Sequence, residues 1–214
     1  MQKFSKRLFS AIIEGGGMEM NFTTNEQFVL ASASPRRKEL FEKLCVPFEV
    51  ITSDVVETTV EANTAIDYVR EVALLKTRDV AKKVVGKTLI GADTIVVFEN
   101  TLLHKPKNHE EAITHLQKLS NRMHQVMTGV AIIEPNGMEH TFVEVTNVYF
   151  KNLPLKLIER YVDSGDPFDK AGGYGIQTDG VLFVDKIEGD YNNVVGLPLA
   201  SLFEKLVALK LLEL

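Results

Sequence analysis

Two serines and two arginines stand close together where an apolar run gives way to a predicted helix. Ser32 and Ser34 follow the apolar run, and Pro35 suits the first helical position because its missing N–H needs no partner there. Ser34 is placed to cap the helix, since a serine hydroxyl accepts a bond from a free backbone N–H. Arg36 and Arg37 fall in the first turn, where the helix dipole disfavours cations unless an anion joins them. Hydroxyls, free backbone N–H groups and two guanidiniums together predict a phosphate-binding site, although first-turn arginines on protein surfaces are often only solvated.

A single carboxylate interrupts a strand that is otherwise almost entirely apolar. Asp93 lies in TLIGADTIVVF, which is predicted to be a central strand covered on both faces. A buried carboxylate is costly unless it is paired, hydrogen-bonded or bound to a metal, which favours a functional role. The alternative is a structural aspartate bonded to backbone amides near Gly91. Thr94 faces the opposite side of an ideal strand, so both side chains would reach one pocket if Gly91 marked a bulge.

Other charged side chains lie in loops and on one helix. Lys105 is held extended by Pro106 and suits a phosphate, although a solvated loop lysine would have the same pattern. Lys76 lies close to the apolar stripe of a long helix, where a lysine usually extends its ammonium group to the surface. Glu57 belongs to the acidic loop 54–61, a candidate for a divalent cation, while most acidic loops are merely solvated.

A polar, glycine-rich loop holds a second dense group of such residues. In DPFDKAGGYGIQ, Asp169 and Lys170 carry opposite charges, and the glycines let the backbone come close to a ligand. Tyr174 and Gln177 suit stacking on a nucleic base and hydrogen bonding to it. A plain turn would explain the glycines but not their polar company, so we predict a ligand-binding loop.

Composition narrows the class of protein. The 214 residues are 45% hydrophobic and 25% charged, as in ordinary globular proteins. The formal net charge of −5 argues against general nucleic-acid binding, but it does not exclude a small anion held by local cations. The single cysteine, Cys45, excludes an internal disulfide and is expected in or near the core. No apolar run approaches the about 20 residues that a membrane helix needs, so we expect a cytoplasmic protein without membrane partners.

The order of elements predicts an α/β fold with a mixed sheet. Residues 1–27 are expected to form a flexible, basic extension, and residues 28–214 a single domain. Strands are predicted near 28–32, 47–53, 88–98, 101–103, 122–134, 138–150 and 181–187. Helices are predicted at 35–44, 64–85, 108–119, 154–164 and from 198 onward.

Several of these segments together resemble the Maf family of nucleoside triphosphate pyrophosphatases. The resemblance covers residues 28 to 210 and rests on separate motifs in the family order. The matching stretches are SASPRR at 32–37, GADT at 91–94, KP at 105–106, DKAGGYGIQ at 169–177, GDY at 189–191 and VVGLP at 194–198.

The resemblance implies a fold, a reaction and roles for individual residues. It implies a mixed twisted sheet flanked by helices, with two lobes around a cleft, as in inosine triphosphate pyrophosphatases. It also implies hydrolysis between the α and β phosphates of a nucleotide, a divalent cation (Mg²⁺ or Mn²⁺) and a homodimer. By position, Asp93 is implied as the general base. Arg36, Thr94 and Gln177 are implied as the positions that set a preference for dTTP and UTP, with modified pyrimidine nucleotides as plausible physiological substrates.

Several roles and two alternative functions remain open at this point. The phosphate oxygens are expected to be bound by Ser32, Ser34, Arg36, Arg37, Lys76 and Lys105. The metal is expected on Asp93 and Glu57, and further substrate contacts on Asp169, Lys170, Tyr174 and Gln177. The residues do not decide whether Asp93 is a base, a metal ligand or both. One alternative is a non-catalytic, nucleotide-sensing regulator of cell division, and the other is a pyrophosphatase with a purine preference.

Overall fold

A computed structural model of the chain describes residues 22–55 and 60–214. Within these residues, seven strands form one mixed sheet that is flanked by helices, as predicted. The strands are β1 (Phe28–Ala31), β2 (Phe48–Val50), β3 (Thr88–Phe98), β4 (Thr101–Leu103), β5 (Met123–Ile133), β6 (Glu139–Phe150) and β7 (Val184–Glu188). The helices are α1 (Pro35–Glu42), α2 (Ala65–Ala81), α3 (His109–Leu119), α4 (Leu155–Asp163), α5 (Tyr191–Val195) and α6 (Leu199–Ala208).

The sheet is covered on both faces, which explains the long apolar strands. Its order is β2-β1-β3-β5-β6-β7, and β4 pairs with the C-terminal end of β3. The larger core lies on one face, where α1, α3, α4 and α6 contribute buried leucine, isoleucine and aromatic side chains. Helix α2 covers the opposite face and packs on β3 and β5. No helix among the described residues combines the length and the apolar composition that crossing a bilayer would require.

One edge of β3 is open over a short stretch, and we call this stretch the β3 gap (residues 92–95). β1 pairs with β3 up to Gly91, and β4 pairs with it from Val96 onward. Among the described strands, none pairs with this edge in between, whereas β5 pairs with the other edge throughout. β1 runs parallel to β3 and β4 runs antiparallel to it, so the C-terminal ends of both strands face the β3 gap. The segments that follow β1 and β4 therefore meet beside Asp93 and Thr94.

Two glycines let α2 approach the sheet closely. A Cβ atom added at Gly129 would lie 2.4 Å from the carbonyl oxygen of Val69, and one added at Gly91 would lie 1.9 Å from Oγ1 of Thr77. At Gly129 the obstructing atoms belong to the backbone of α2, so a larger residue requires a shift of the helix, while at Gly91 the nearest atoms belong to the side chain of Thr77. The close approach of α2 to β3 and β5 therefore depends on Gly91 and Gly129, respectively.

Most predicted elements are present, and the differences have local causes. The long helix ends at Ala81, earlier than predicted, and the turn that follows leads to Gly86, which has a positive φ of 72°. The last strand begins only at Val184, after a short 3-10 turn at Asp179–Phe183. Helix α5 was not predicted. Cys45 is expected in or near the core, but it is exposed, and the backbone at this residue has a φ of 52° just after α1.

The predicted extension lies partly outside the described residues. Residues 1–21 of the extension lie outside the described residues. Glu57, which belongs to the acidic loop and not to the extension, also lies outside them. Residues 22–27, also assigned to the extension, pack against the C-terminal part of the domain. The ring of Phe22 lies 4.9 Å from that of Phe203, and Thr23 pairs with Glu213 in an antiparallel bridge.

Candidate active site

A cavity of about 330 Å³ opens at the β3 gap. Its walls come from the segment after β1, from α2 and β3, from the segment after β4, from the loop 169–178 and from the end of α5. The cavity brings together most of the residues singled out in the sequence, namely Ser34, Arg36, Arg37, Lys76, Asp93, Thr94, Lys105, Asp169, Lys170, Tyr174 and Gln177. Arg36 and Asp93 thus share one cavity, although they are far apart in the sequence.

Asp93 and Thr94 both line the cavity although they lie on opposite faces of β3. The register between β3 and β5 is regular from Leu89 to Val97, so the bulge considered at Gly91 is absent from this stretch. The cavity reaches both faces because β1 and β4 leave the edge of β3 open between them. The interruption of strand pairing, and not a bulge, is what brings the two side chains to one site.

Asp93 is paired with Lys76 of α2. The Nζ atom of Lys76 donates to Oδ1 of Asp93 at 2.6 Å, and the side chains are 17% and 10% exposed. A buried carboxylate needs such a partner, and the bond leaves the second carboxylate oxygen for a water or a cation. The sequence pattern suggested that Lys76 extends its ammonium group to the surface, but the structure shows it mostly buried and paired with Asp93.

The serines after β1 organise the start of α1. Oγ of Ser34 accepts from the backbone N–H of Arg37, which confirms the predicted helix cap. Oγ of Ser32 accepts from the backbone N–H of Ser34 at 3.2 Å and from Nη1 of Arg37 at 3.4 Å. Ser32 is buried, so it supports the turn from beneath, while Ser34 lines the cavity.

Arg37 is held by groups from three different elements. Its Nε donates to the carbonyl oxygen of Gly196 at 2.8 Å, and its Nη2 donates to Oγ1 of Thr94 at 2.9 Å. A third, longer bond runs from Nη1 to Ser32. Because all three guanidinium nitrogens are hydrogen-bonded, the group is already oriented before an anion binds.

Arg36 and the glycine-rich loop are joined by a chain of charges. Nη1 of Arg36 donates to Oδ2 of Asp169 at 3.0 Å. The ammonium group of Lys170 donates to Oδ1 of Asp169 at 2.6 Å, and to the carbonyl oxygen and Oδ1 of Asp166 at 2.8 and 3.0 Å. These contacts match the three donors of an ammonium group, so a direct phosphate contact by Lys170 would have to replace one of them.

Asp166 was not singled out in the sequence, although it anchors the loop. Its Oδ2 also accepts from Oγ1 of Thr178 at 2.6 Å and from the hydroxyl of Tyr161, whose oxygen accepts from the backbone N–H of Gly175. Burial acts to raise the pKa of Asp166, but the bonds from Thr178, Tyr161 and Lys170 outweigh it and hold this pKa below its ordinary value. An aspartate three residues before DKAGG gives no local signal of this role.

Asp169 has a lowered pKa for similar reasons. Partial burial acts to raise it, while the hydrogen bonds from Lys170 and Arg36 lower it by a larger amount. Asp169 is therefore ionised near neutral pH and binds both cations. An anion that binds Arg36 must either displace the carboxylate of Asp169 from Nη1 or bind the other N–H groups of the guanidinium while Asp169 stays in place.

Tyr174 lines the cavity, but its side chain is buried and belongs to the core. Its hydroxyl lies 2.7 Å from Nε2 of His124, and its ring packs edge-on against Phe150 with centroids 4.7 Å apart. Burial lowers the pKa of His124 to about 3 and raises that of Tyr174, so both are neutral. This packing does not support the expected stacking of Tyr174 on a base.

Lys105 and Gln177 are exposed members of the predicted set whose side chains form no hydrogen bond or ion pair within the described part of the chain, whereas Asp169, also exposed, is bonded to Arg36 and Lys170. Lys105 follows β4 and faces the β3 gap from the side opposite to α1, and Gln177 lies at the end of the loop 169–178. Both side chains line the cavity and are free to adapt to a ligand. Tyr68, a further lining residue on α2, was missed, because an aromatic residue near a helix stripe usually signals only core packing.

The donor atoms of the cavity fit a divalent cation that arrives together with an anionic substrate. No group of three or more His, Cys, Asp or Glu side chains among the described residues is placed to hold a metal ion alone. Mg²⁺ in phosphate-handling sites commonly uses only one or two carboxylates and completes its shell with phosphate and water oxygens. Asp93 provides such a carboxylate beside the arginines. Glu57 lies outside the described residues.

Comparison with known proteins gives several extensive similarities. The model of the Maf-like protein family matches residues 27–209. A protein of Alkaliphilus oremlandii named dTTP/UTP pyrophosphatase is 49% identical over 83% of this chain and 93% of its own length. A Bacillus cereus protein of the same name is 48% identical over 84% and 94%. The solved dITP/XTP pyrophosphatase of Mycobacterium abscessus is 18% identical, with a TM-score of 0.43, over 60% of this chain and 76% of its own.

Proposed function

Because the chain belongs to the Maf-like protein family, we propose that it hydrolyses dTTP and UTP to the nucleoside monophosphate and pyrophosphate. The observation that carries the proposal is the convergence of Asp93, Lys76, Arg36 and Arg37 on one cavity at the β3 gap. A carboxylate beside several cations is what the cleavage of a phosphoanhydride needs. The cations hold a polyanion, and the carboxylate takes a proton from water.

The triphosphate binds against the start of α1 in this proposal. The first turn offers backbone N–H groups and the positive end of the helix dipole. Arg37 is already oriented by Thr94 and Gly196, so it loses little freedom when it meets the phosphates. Lys105 approaches from the opposite end of the β3 gap, and the polyphosphate would span the space between it and α1.

Asp93 accepts the proton of the attacking water. The hydrogen bond from Lys76 to Oδ1 orients the carboxylate, and the second oxygen of this cavity-lining residue is the one that would take the proton. Such a positioned base typically contributes about 10²–10⁴-fold to a rate. We propose that Asp93 and Glu57 also hold a divalent cation. When bound, this cation would neutralise phosphate charge and make a bound water more acidic.

The nucleobase is read at the glycine-rich end of the cavity. Gln177 is exposed there and carries both a donor and an acceptor, which suits the edge of a pyrimidine. Arg36 is tied to the same loop through Asp169, so phosphate binding and base recognition are physically connected. We propose that Arg36, Thr94 and Gln177 together set the preference for dTTP and UTP, and that modified pyrimidine nucleotides are also accepted.

A panel of nucleoside triphosphates tests the proposal. Pyrophosphate release is measured with dTTP, UTP, CTP, ATP, GTP, dITP and modified pyrimidine nucleotides, with Mg²⁺ or Mn²⁺ and with EDTA. We expect turnover of dTTP and UTP that EDTA abolishes. Tight binding without turnover would instead indicate a nucleotide-sensing regulator, and a preference for dITP would indicate a purine enzyme. Either of these results would overturn the proposed function.

We further propose that the chain acts as a homodimer in the cytoplasm. The basis is the family resemblance and the single cysteine, which suits a reducing compartment. Light scattering coupled to gel filtration tests the mass of the particle. A monomer at micromolar concentration would contradict the dimer.

A further inference from the structure

We propose that Thr128 is a positioning residue for the reaction, acting through Thr94 on Arg37. Thr128 lies on β5, is 0% exposed and does not line the cavity. The inference rests on the proposed function, because it assigns a purpose to the orientation of Arg37 in the phosphate site. It adds a residue outside the cavity to those that determine substrate binding.

The two threonines form a cross-strand pair. Thr94 and Thr128 are directly opposite each other in the register of β3 and β5, on the face away from α2. Their Oγ1 atoms lie 2.9 Å apart, and from this distance alone either hydroxyl could donate to the other. The direction of this bond decides which acceptor receives the single hydroxyl hydrogen of Thr94.

The surrounding partners settle the direction of the bond. Oγ1 of Thr128 lies 3.1 Å from the backbone carbonyl oxygen of Asn193, and a carbonyl oxygen can only accept. The single hydroxyl hydrogen of Thr128 is used there, so Thr128 accepts the hydrogen of Thr94. The oxygen of Thr94 then accepts from Nη2 of Arg37 at 2.9 Å, since a guanidinium can only donate. The order of donation is Arg37 to Thr94 to Thr128 to the carbonyl of Asn193.

The end of this chain is fixed in the core. The side chain of Asn193 is fully buried, and its Nδ2 donates to the carbonyl oxygen of Val126 at 3.0 Å and to Oγ1 of Thr146 at 2.9 Å. These bonds hold the first part of α5 against β5 and β6. The carbonyl that receives the hydrogen of Thr128 therefore has little freedom to move.

Without the hydroxyl of Thr128, Thr94 would have a competing acceptor. The carbonyl oxygen of Gly196 lies 3.5 Å from Oγ1 of Thr94 and already accepts from Nε of Arg37 at 2.8 Å. A Thr94 hydroxyl that turned to this carbonyl would share it with Nε of Arg37 and would no longer be fixed by Thr128. Thr128 accepts the hydrogen of Thr94 instead. The oxygen of Thr94 is then held for Nη2 of Arg37, and the carbonyl oxygen of Gly196 for Nε.

The test compares two substitutions at Thr128. Thr128→Val keeps the shape but removes the hydroxyl, and Thr128→Ser keeps the hydroxyl. We expect Thr128→Val to raise KM for UTP about tenfold with a smaller change in kcat, which corresponds to about 1.4 kcal/mol of lost binding. Thr128→Ser should stay within twofold of the wild type. The matched control is Thr88→Val, which removes a fully buried hydroxyl of β3 that bonds to Glu26 and not to the site.

A double substitution separates positioning from a general loss of packing. In a Thr94→Val background, Thr128→Val should change kcat/KM by less than twofold, because the residue through which it acts is gone. Full additivity, or a Thr128→Val enzyme within twofold of the wild type in KM, would overturn the inference. Thermal unfolding is recorded for each variant, and Thr128→Ala is the second variant if valine prevents folding.

Direct binding keeps this test distinct from that of the proposed function. UTP affinity is measured by calorimetry in an Asp93→Asn background, with and without Thr128→Val. A tenfold weaker affinity supports the inference even if the wild type releases no pyrophosphate, a result that would overturn only the proposed function. Unchanged affinity would overturn the inference even if the wild type is active.

Discussion

The ammonium nitrogen of Lys76 lies 2.6 Å from Oδ1 of Asp93, although the two residues are 17 positions apart and belong to a helix and a strand. Their pairing depends on how closely α2 packs on the sheet, and thus on Gly91 and Gly129. The pair is mostly buried, so the loss of either partner leaves a charge that water reaches poorly. The environment of the Asp93 carboxylate and the packing of the fold are therefore connected.

Replacement of Asp93 by asparagine should abolish hydrolysis while the fold survives. Asparagine has nearly the same shape and can still accept from Lys76, but it cannot take a proton from water. We expect the rate of pyrophosphate release to fall by about 10³-fold or more. Far-ultraviolet circular dichroism and thermal unfolding report on the fold, and Asp185→Asn, at an exposed aspartate of β7, is the control. An active and folded Asp93→Asn variant would rule out the assignment of the base.

The substitution Gly129→Ala should reduce both stability and activity. The new methyl group would lie 2.4 Å from the carbonyl oxygen of Val69, so α2 must move away from β5. Overpacking of this kind typically costs about 1–3 kcal/mol, measurable by urea unfolding. Because Lys76 moves with α2, we also expect a lower kcat. A variant with wild-type stability and kcat would show that α2 tolerates the shift.

Two lysines of the cavity should respond differently to replacement by methionine. Lys105 is exposed, so Lys105→Met should raise KM about tenfold with little change in stability. Lys170 is 9% exposed and bonded to Asp166 and Asp169, so Lys170→Met should cost about 3 kcal/mol of stability. Steady-state kinetics and urea unfolding of both variants provide the comparison. Equal stability losses would contradict the distinction between a substrate contact and an anchor of the loop.

Acid should destabilise the fold partly through His124. Burial lowers its pKa from 6.5 to about 3, so below pH 6.5 the unfolded chain binds a proton that the folded chain does not. Its contribution is complete above pH 6.5 and is lost progressively as the pH falls towards 3. We expect His124→Gln, which can still bond to Tyr174, to reduce the slope of unfolding free energy against pH by up to about 1.4 kcal/mol per unit.

Urea unfolding at several pH values between 4 and 7 measures this slope. His109→Gln removes an imidazole from an exposed position and is the matched control. Equal slopes for the wild type and His124→Gln would mean that the buried imidazole does not remain neutral in the folded protein.

The sequence singled out Asp93, and the structure places it in the cavity, because local sequence carried the signal. A lone carboxylate in an apolar strand is conspicuous, and so are serines and arginines around a proline that begins a helix. The serine cap depends on neighbouring residues and appeared as predicted. Such short-range features can be deduced without knowledge of the fold.

The partners of these residues could not be deduced in the same way. Lys76 looked like a surface lysine, since nothing in α2 alone reveals how near the sheet lies. The open edge beside Thr94 depends on where β1 and β4 stop pairing, which is a relation between distant segments. Tyr174 looked suited to a base, and only the positions of His124 and Phe150 reveal that its ring is part of the core.

At the β3 gap, the paired strands of the sheet end and the loops that line the cavity begin. The two short connections that leave it, residues 32–34 and 104–106, are fastened to strands at one end only. A change in the length of either connection would move Arg36 and Arg37, or Lys105, relative to β3 without altering the strand pairing of the sheet. Related chains could therefore diversify the ligands they accept while folding by the same route.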